Sequence, residues 1–142
     1  MLLLMTVLSA KAQNTPQTLT VNDGTITNYA IPIYSYYSYN TYQQSQFVIP
    51  DYDISAMAGK TIDGLTFYLS SPATNASSAV YKVYMKPYSS ETITSMQSYD
   101  EYDVVYTGVL DNTQDEMEVI FDKPYDYSWM SCPYFISLLC KE

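Results

Sequence analysis

The sequence predicts an all-β protein, a single antiparallel β-sandwich of the jelly-roll or immunoglobulin/fibronectin-like type. Apolar and polar residues alternate with a period of two along most of the chain, which is the pattern of half-buried strands. Turn signals separate the short runs, for example at 58–60, 70–72 and 111–113. Only 54–58 and 91–97 could turn helically, and both are short. Short strands at this spacing are typical of antiparallel sandwiches.

The strands are predicted one by one from this alternation. Three runs carry apolar residues at every second position, with mostly polar or tyrosine residues between them, and so predict strands with one buried face. Their predicted inward residues are Leu65, Phe67 and Leu69, then Tyr81, Val83 and Met85, then Met117, Val119 and Phe121. The run 104–110 is apolar on both faces, which predicts a central strand, with Gly108 as a candidate bulge.

Composition narrows the function. The 142 residues carry a net charge of -9, and the six cations are all lysine, so arginine and histidine are absent. Without histidine there is no Ser-His-Asp or Cys-His pair and no imidazole metal ligand. The acidic balance disfavours nucleic acid as a partner. We therefore expect a protein without enzymatic activity, catalytic residues or cofactor.

The first twelve residues are interpreted as a signal peptide. An apolar run at 2–9 is followed by Ala10-Lys11-Ala12, a small-x-small cleavage pattern that makes Gln13 the first mature residue. The run is too short to span a bilayer. The basic stretch that normally precedes such a run is missing, so we expect the natural signal to begin further upstream. A buried strand is the alternative. We expect a secreted or cell-surface protein without a membrane span in the mature chain.

Seven short segments occur in an order that resembles a known module. They lie at 22–25, 31–34, 45–50, 56–62, 67–70, 83–86 and 121–125. In order and spacing they resemble a β-sandwich module of secreted multidomain surface proteins, including adhesin-like ones, of gut and oral Gram-negative anaerobes. The resemblance covers about 20–127. It implies a non-catalytic, surface-displayed module that usually precedes further domains, and it supplies no catalytic residues.

The tail at 129–142 departs from that resemblance. Such modules continue after 125–127 with a Gly-Gly-Asn type turn and an apolar strand, whereas this tail contains the only tryptophan and both cysteines. We expect an aberrant end, from a reading-frame change or an assembly fragment, that supplies a makeshift last strand. The run 134–139 between Cys132 and Cys140 predicts a strand. A disulfide is the alternative, because an extended strand holds its ends too far apart for one.

A tyrosine-rich run is the candidate ligand-binding surface. It contains Tyr34, Tyr36, Tyr37, Tyr39 and Tyr42. Tyrosine combines a flat ring with a hydroxyl at low entropic cost, which suits contact with glycans or proteins at a cell surface. Because a strand would direct about half of these rings to each face, the alternative is ordinary sheet packing.

Acidic loops suggest one metal site. Asp100, Glu101 and Asp103 precede a predicted strand and could hold a structural calcium ion, which takes several oxygen ligands. Solvated loop charge is the alternative, since the spacing matches neither an EF-hand nor a nonapeptide calcium repeat. The functional expectation is a structural or adhesive module. The alternatives are a carbohydrate-binding module that uses the tyrosine-rich run, and a filament subunit completed by a neighbour's strand.

Overall fold

The computed structural model describes residues 17–21, 27–28, 42–75, 78–127 and 134–141. Six strands within these ranges form two antiparallel sheets. The strands are β1 (Tyr42–Ile49), β2 (Thr61–Tyr68), β3 (Val80–Pro87), β4 (Val104–Val109), β5 (Glu116–Asp126) and β6 (Tyr134–Lys141). One sheet has the order β1-β6-β3-β4, and the other consists of β2 and β5. The predicted β-rich class is therefore confirmed.

The last strand lies inside the four-stranded sheet. β6 pairs along its whole length with β1 on one side and with β3 on the other. The prediction of a strand between the two cysteines is thus confirmed, whereas Cys132 lies outside the described residues. Because β6 joins two strands that have no other ladder between them, it holds this sheet together.

The main core draws side chains from both sheets. Its buried members are Tyr81, Val83, Met85, Val105, Leu110, Met117, Val119 and Phe121. Phe47 of β1 and Phe67 of β2 meet edge to face across it, with ring centroids 6.1 Å apart. The predicted inward residues of β3 and β5 are therefore buried, as the alternation requires.

The prediction of a central strand at 104–110 is wrong for the described part of the sheet. β4 pairs only with β3 there, and Thr107 and Val109 are exposed. The register irregularity lies near Val105, because Val83 pairs with Tyr106 and Tyr84 with Val104. Apolar residues in both phases of the run thus gave a misleading signal, because the outward Val109 reaches solvent.

The prediction of a bulge at Gly108 is also wrong. Gly108 pairs in register with Tyr81, and the reason for glycine is steric. A Cβ atom at this position would lie 2.5 Å from the hydroxyl oxygen of Tyr106. The Tyr106 ring therefore lies over Gly108, and its hydroxyl donates to the carbonyl of Val109 at 2.8 Å.

One of the two predicted helical stretches forms. The segment after β1 contains α1 (Asp51–Ile54) and a 3₁₀ turn at Ser55–Met57. The chain then turns at Gly59, whose φ of 72° is one that glycine adopts without strain. By contrast, 91–97 contains no helix, and the backbone N–H and carbonyl of Gln97 bond instead to the side chain of Gln46 in β1, as described below. Among the described residues no helix is long and apolar enough to cross a membrane.

Candidate functional site

The predicted tyrosine surface falls largely outside the described residues. This is the case for Tyr34, Tyr36, Tyr37 and Tyr39, whereas Tyr42 is the first residue of β1. In the sheet, Tyr42 pairs with Lys141, Lys141 with Val80, and Val80 with Val109. The tyrosine-rich run therefore leads into a row of four residues across one end of the four-stranded sheet.

Two valines of this row are exposed. Val80 and Val109 lie directly opposite each other on the face away from the core, with 45% and 49% of their surface accessible. Cross-strand neighbours of this kind form one small apolar patch, because directly opposed side chains are about 5 Å apart. The structure thus places exposed apolar surface at the end of the sheet where the predicted ligand-binding run ends.

Another part of this outward face lies under a loop that we name the strap, residues 88–103. The side-chain amide of Gln46 accepts from the N–H of Gln97 and donates to its carbonyl, both at 2.8 Å. The Lys86 ammonium donates to the carbonyl of Ser98. The rings of Tyr84 and Tyr99 stack with centroids 4.2 Å apart. The strap is therefore anchored to both β1 and β3.

The predicted calcium ligands lie at the end of the strap and have other partners. Both oxygens of the Glu101 carboxylate accept from the Lys82 ammonium, at 3.1 and 2.9 Å. This bond is the main reason that the pKa of Lys82 is raised above its ordinary value. Asp103 accepts from the N–H of Asp100 at 3.2 Å, which caps a 3₁₀ turn at Glu101–Asp103.

The calcium site stays a prediction. In the described ranges, three or more metal-ligating side chains nowhere come close enough together to hold an ion. Calcium would have to compete with Lys82 for Glu101. The check is a thermal melt with and without millimolar calcium, in which a bound ion would raise the melting temperature.

A second acidic loop is a hydrogen-bonded turn. One carboxylate oxygen of Asp111 accepts from the N–H and the hydroxyl of Thr113, at 3.0 and 2.7 Å. These two bonds favour the charged form and lower the pKa of Asp111. The loop therefore uses its carboxylate to order the turn between β4 and β5.

The outward face of the two-stranded sheet was missed by sequence reasoning. Ile120 and Tyr68 are both 67% exposed there, beside Thr66, Glu116 and Glu118. The signal was present in β5, where Ile120 follows Glu118 in the outward phase between inward Val119 and Phe121. We name this set of five residues the β2–β5 outer face.

No family model matches the chain, and no curated protein or solved structure is significantly similar to it.

Proposed function

We propose that the chain is a non-catalytic β-sandwich module of an exported, cell-surface protein, with a structural or adhesive role. The sandwich arrangement of two sheets is supported by the core, because inward residues of β3 in one sheet pack with inward residues of β5 in the other. The absence of histidine and arginine from the sequence removes the residues most often used for acid-base catalysis and anion clamping.

The adhesive role is supported by one observation above the others. On two different strand faces, large apolar side chains point to solvent: Val80 and Val109 on one, Tyr68 and Ile120 on the other. Val80 and Val109 are directly opposed and form a group, whereas Ile120 lies opposite Gly64, four positions along β2 from Tyr68. Grouped exposed apolar residues are typical of contact surfaces, whereas single ones are ordinary.

A direct binding assay tests this proposal. The full chain, immobilised on beads, is exposed to arrays of glycans and of extracellular proteins, and retention is compared with that of beads coated with an unrelated acidic protein. An adhesive module retains at least one class of ligand specifically. Retention equal to that of the acidic control throughout both arrays would contradict the adhesive role.

Export is tested separately. We propose cleavage after Ala12, so the mature protein recovered outside the cytoplasm of an exporting host should begin at Gln13. Terminal sequencing by mass spectrometry provides the measurement. A protein that stays in the cytoplasm with residues 1–12 intact would overturn the export proposal while leaving the binding result unaffected.

A carbohydrate-binding role is the second candidate, and the position of Tyr42 favours it. This residue continues the tyrosine-rich run into the row that contains exposed Val80 and Val109. Aromatic rings beside small apolar groups suit the flat faces of sugars. If the run binds glycans, Tyr36→Ala with Tyr39→Ala abolishes retention on the glycan array, whereas Tyr52→Ala, at an exposed tyrosine of α1, does not.

A further inference from the structure

We propose that the β2–β5 outer face is a docking surface for an extended, lysine- or arginine-bearing segment of a partner protein. This inference rests on the proposed adhesive role and names the partner class. It follows from the apolar centre of the face, from the shape of the sheet at that centre, and from the charges on either side.

The apolar centre is Ile120. It is one of the two most exposed large apolar residues in the described ranges, together with Tyr68 on the same face. Its cross-strand partner is Gly64, which has no side chain to cover it. Gly64 cannot be replaced by a larger residue without movement, because a Cβ atom there would lie 2.6 Å from the carbonyl oxygen of Val119. The packing of the two strands therefore requires glycine at position 64, and the backbone beside Ile120 carries no side chain.

Carboxylates repeat along β5 at the spacing of a strand. Glu116 and Glu118 share the outward phase with Ile120, so these successive outward side chains are about 7 Å apart, and exposed Asp122 follows where the register with β2 shifts. Among the described residues neither Glu116 nor Glu118 has an ion-pair partner; the one ion pair there joins Lys82 to Glu101 on the other sheet. Asp122 also accepts from the N–H of Thr107 at 2.8 Å, which ties β4 to β5 beside this face.

This arrangement selects one occupant. A second copy of the chain would place carboxylates against carboxylates, which disfavours self-association through this face. An extended segment with basic residues at alternate positions, and one apolar residue among them, repeats its outward side chains at the same spacing of about 7 Å. Its charge is opposite to that of the face. Such a segment pairs its basic groups with Glu116 and Glu118 and covers Ile120.

The test uses the full chain and two peptides of identical composition. The probe is the labelled peptide Lys-Thr-Lys-Thr-Ile-Thr-Lys, and its control has the order Lys-Lys-Lys-Thr-Thr-Thr-Ile. We expect the alternating probe to bind more tightly than the control, and its binding to weaken at high ionic strength, because exposed charge pairs are screened by salt. Equal affinity for the two peptides would overturn the proposal, since it would show attraction to net charge alone.

Matched variants locate the site. Glu118→Lys should weaken binding of the alternating probe about threefold to tenfold, whereas Glu91→Lys, the same charge change on the exposed strap, should leave it nearly unchanged. Ile120→Thr should weaken binding about fivefold, and Val109→Thr on the other sheet should not. Equal effects within either pair would overturn the proposal.

These residues are exposed, so the variants should fold, and thermal melts check this. Failure of this inference is distinguishable from failure of the proposed function. If Glu118→Lys and Ile120→Thr leave retention on the glycan and protein arrays intact, the docking surface is wrong while the adhesive role stands.

Discussion

The two outward faces of the molecule carry similar residues in different surroundings. Tyr84 in β3 and Tyr68 in β2 both occupy the outward phase of a strand. Tyr84 is 0% exposed because the strap covers it with Tyr99, whereas Tyr68 is 67% exposed on an open face. The outward phase of a strand therefore does not decide whether a residue contributes to stability or is available for binding. That depends on which loop crosses the face.

The largest expected effect comes from breaking the sheet beneath the strap. Deletion of 129–142 removes β6, so β1 and β3 both lose a neighbour along their whole length. We expect the deleted chain to lose its cooperative thermal unfolding transition. Circular dichroism as a function of temperature is the measurement. Deletion of 1–12, the predicted signal peptide, is the control and should leave the transition in place. A sharp transition in the tail-deleted chain would contradict the central role of β6.

The comparison between the faces is tested most directly at the two tyrosines. Tyr84→Ala should destabilise the protein by about 3–5 kcal/mol, because it empties a fully buried aromatic site. Tyr68→Ala should cost about 0.5 kcal/mol or less, as is usual at exposed positions. Urea unfolding measures both free energies. Similar losses for the two variants would show that the strap does not stabilise the face it covers.

A smaller effect is expected at the main hydrogen-bonded anchor of the strap. Gln46→Ala removes both bonds to the backbone of Gln97, and we expect a loss of about 1–2 kcal/mol. Amide hydrogen exchange at Gln97 should accelerate at the same time. Gln114→Ala is the control, because the exposed side chain of Gln114 bonds only to its neighbour Thr113 among the described residues. Unchanged exchange at Gln97 would show that the strap is held without Gln46.

The smallest effect is a dependence of stability on alkaline pH. In the folded protein the pKa of Lys82 is raised, mainly by its hydrogen bond to Glu101. The pKa of Tyr106 is raised by burial and, to a smaller extent, by the charge of Asp122. The folded protein therefore holds these two protons more tightly than the unfolded protein does. The stability that the protonated groups contribute is complete below their ordinary pKa values of 10.5 for Lys82 and 10.0 for Tyr106. It is lost as the pH rises through their raised pKa values in the folded protein.

Asp122→Asn isolates the tyrosine. The amide keeps an acceptor for Thr107 but removes the charge, so the pKa of Tyr106 should fall toward its ordinary value. NMR of ring-labelled tyrosine follows the titration. Tyr127, whose pKa is raised by burial and then by the charge of Asp51, is the internal reference. A Tyr106 titration unaltered by Asp122→Asn would exclude the charge as a cause.

Sequence reasoning succeeded where the physics is local. The inward residues Val83, Met85, Met117 and Val119 were predicted from alternation alone, because successive side chains of a strand must point to opposite faces. The strand at 134–139 and the helical turn after β1 follow from equally local patterns. The tyrosine-rich run could be recognised as a candidate, although only its last residue lies in the described ranges.

Prediction from the sequence was wrong or incomplete where segments far apart in the chain contact each other. Nothing in 91–97 alone indicates that Gln97 will bond to a glutamine of β1, so this run remained one of the two short stretches that could turn helically. Nothing in β4 alone indicates that it ends the described sheet or that Gly108 accommodates the ring of Tyr106. The exposure of Ile120 depends on the glycine opposite it in β2, which is a property of the register.

Alone, the sequence determined the β-rich class, the inward face of the main strands and the acidic, histidine-free chemistry, since these depend on residue type and on neighbours within a few positions. Only the tertiary structure decided that β6 lies between β1 and β3, that the strap covers one outward face, and that the other presents Ile120 between carboxylates. These features arise from pairing between segments far apart in the chain, where the free energy of burial depends on which surfaces meet.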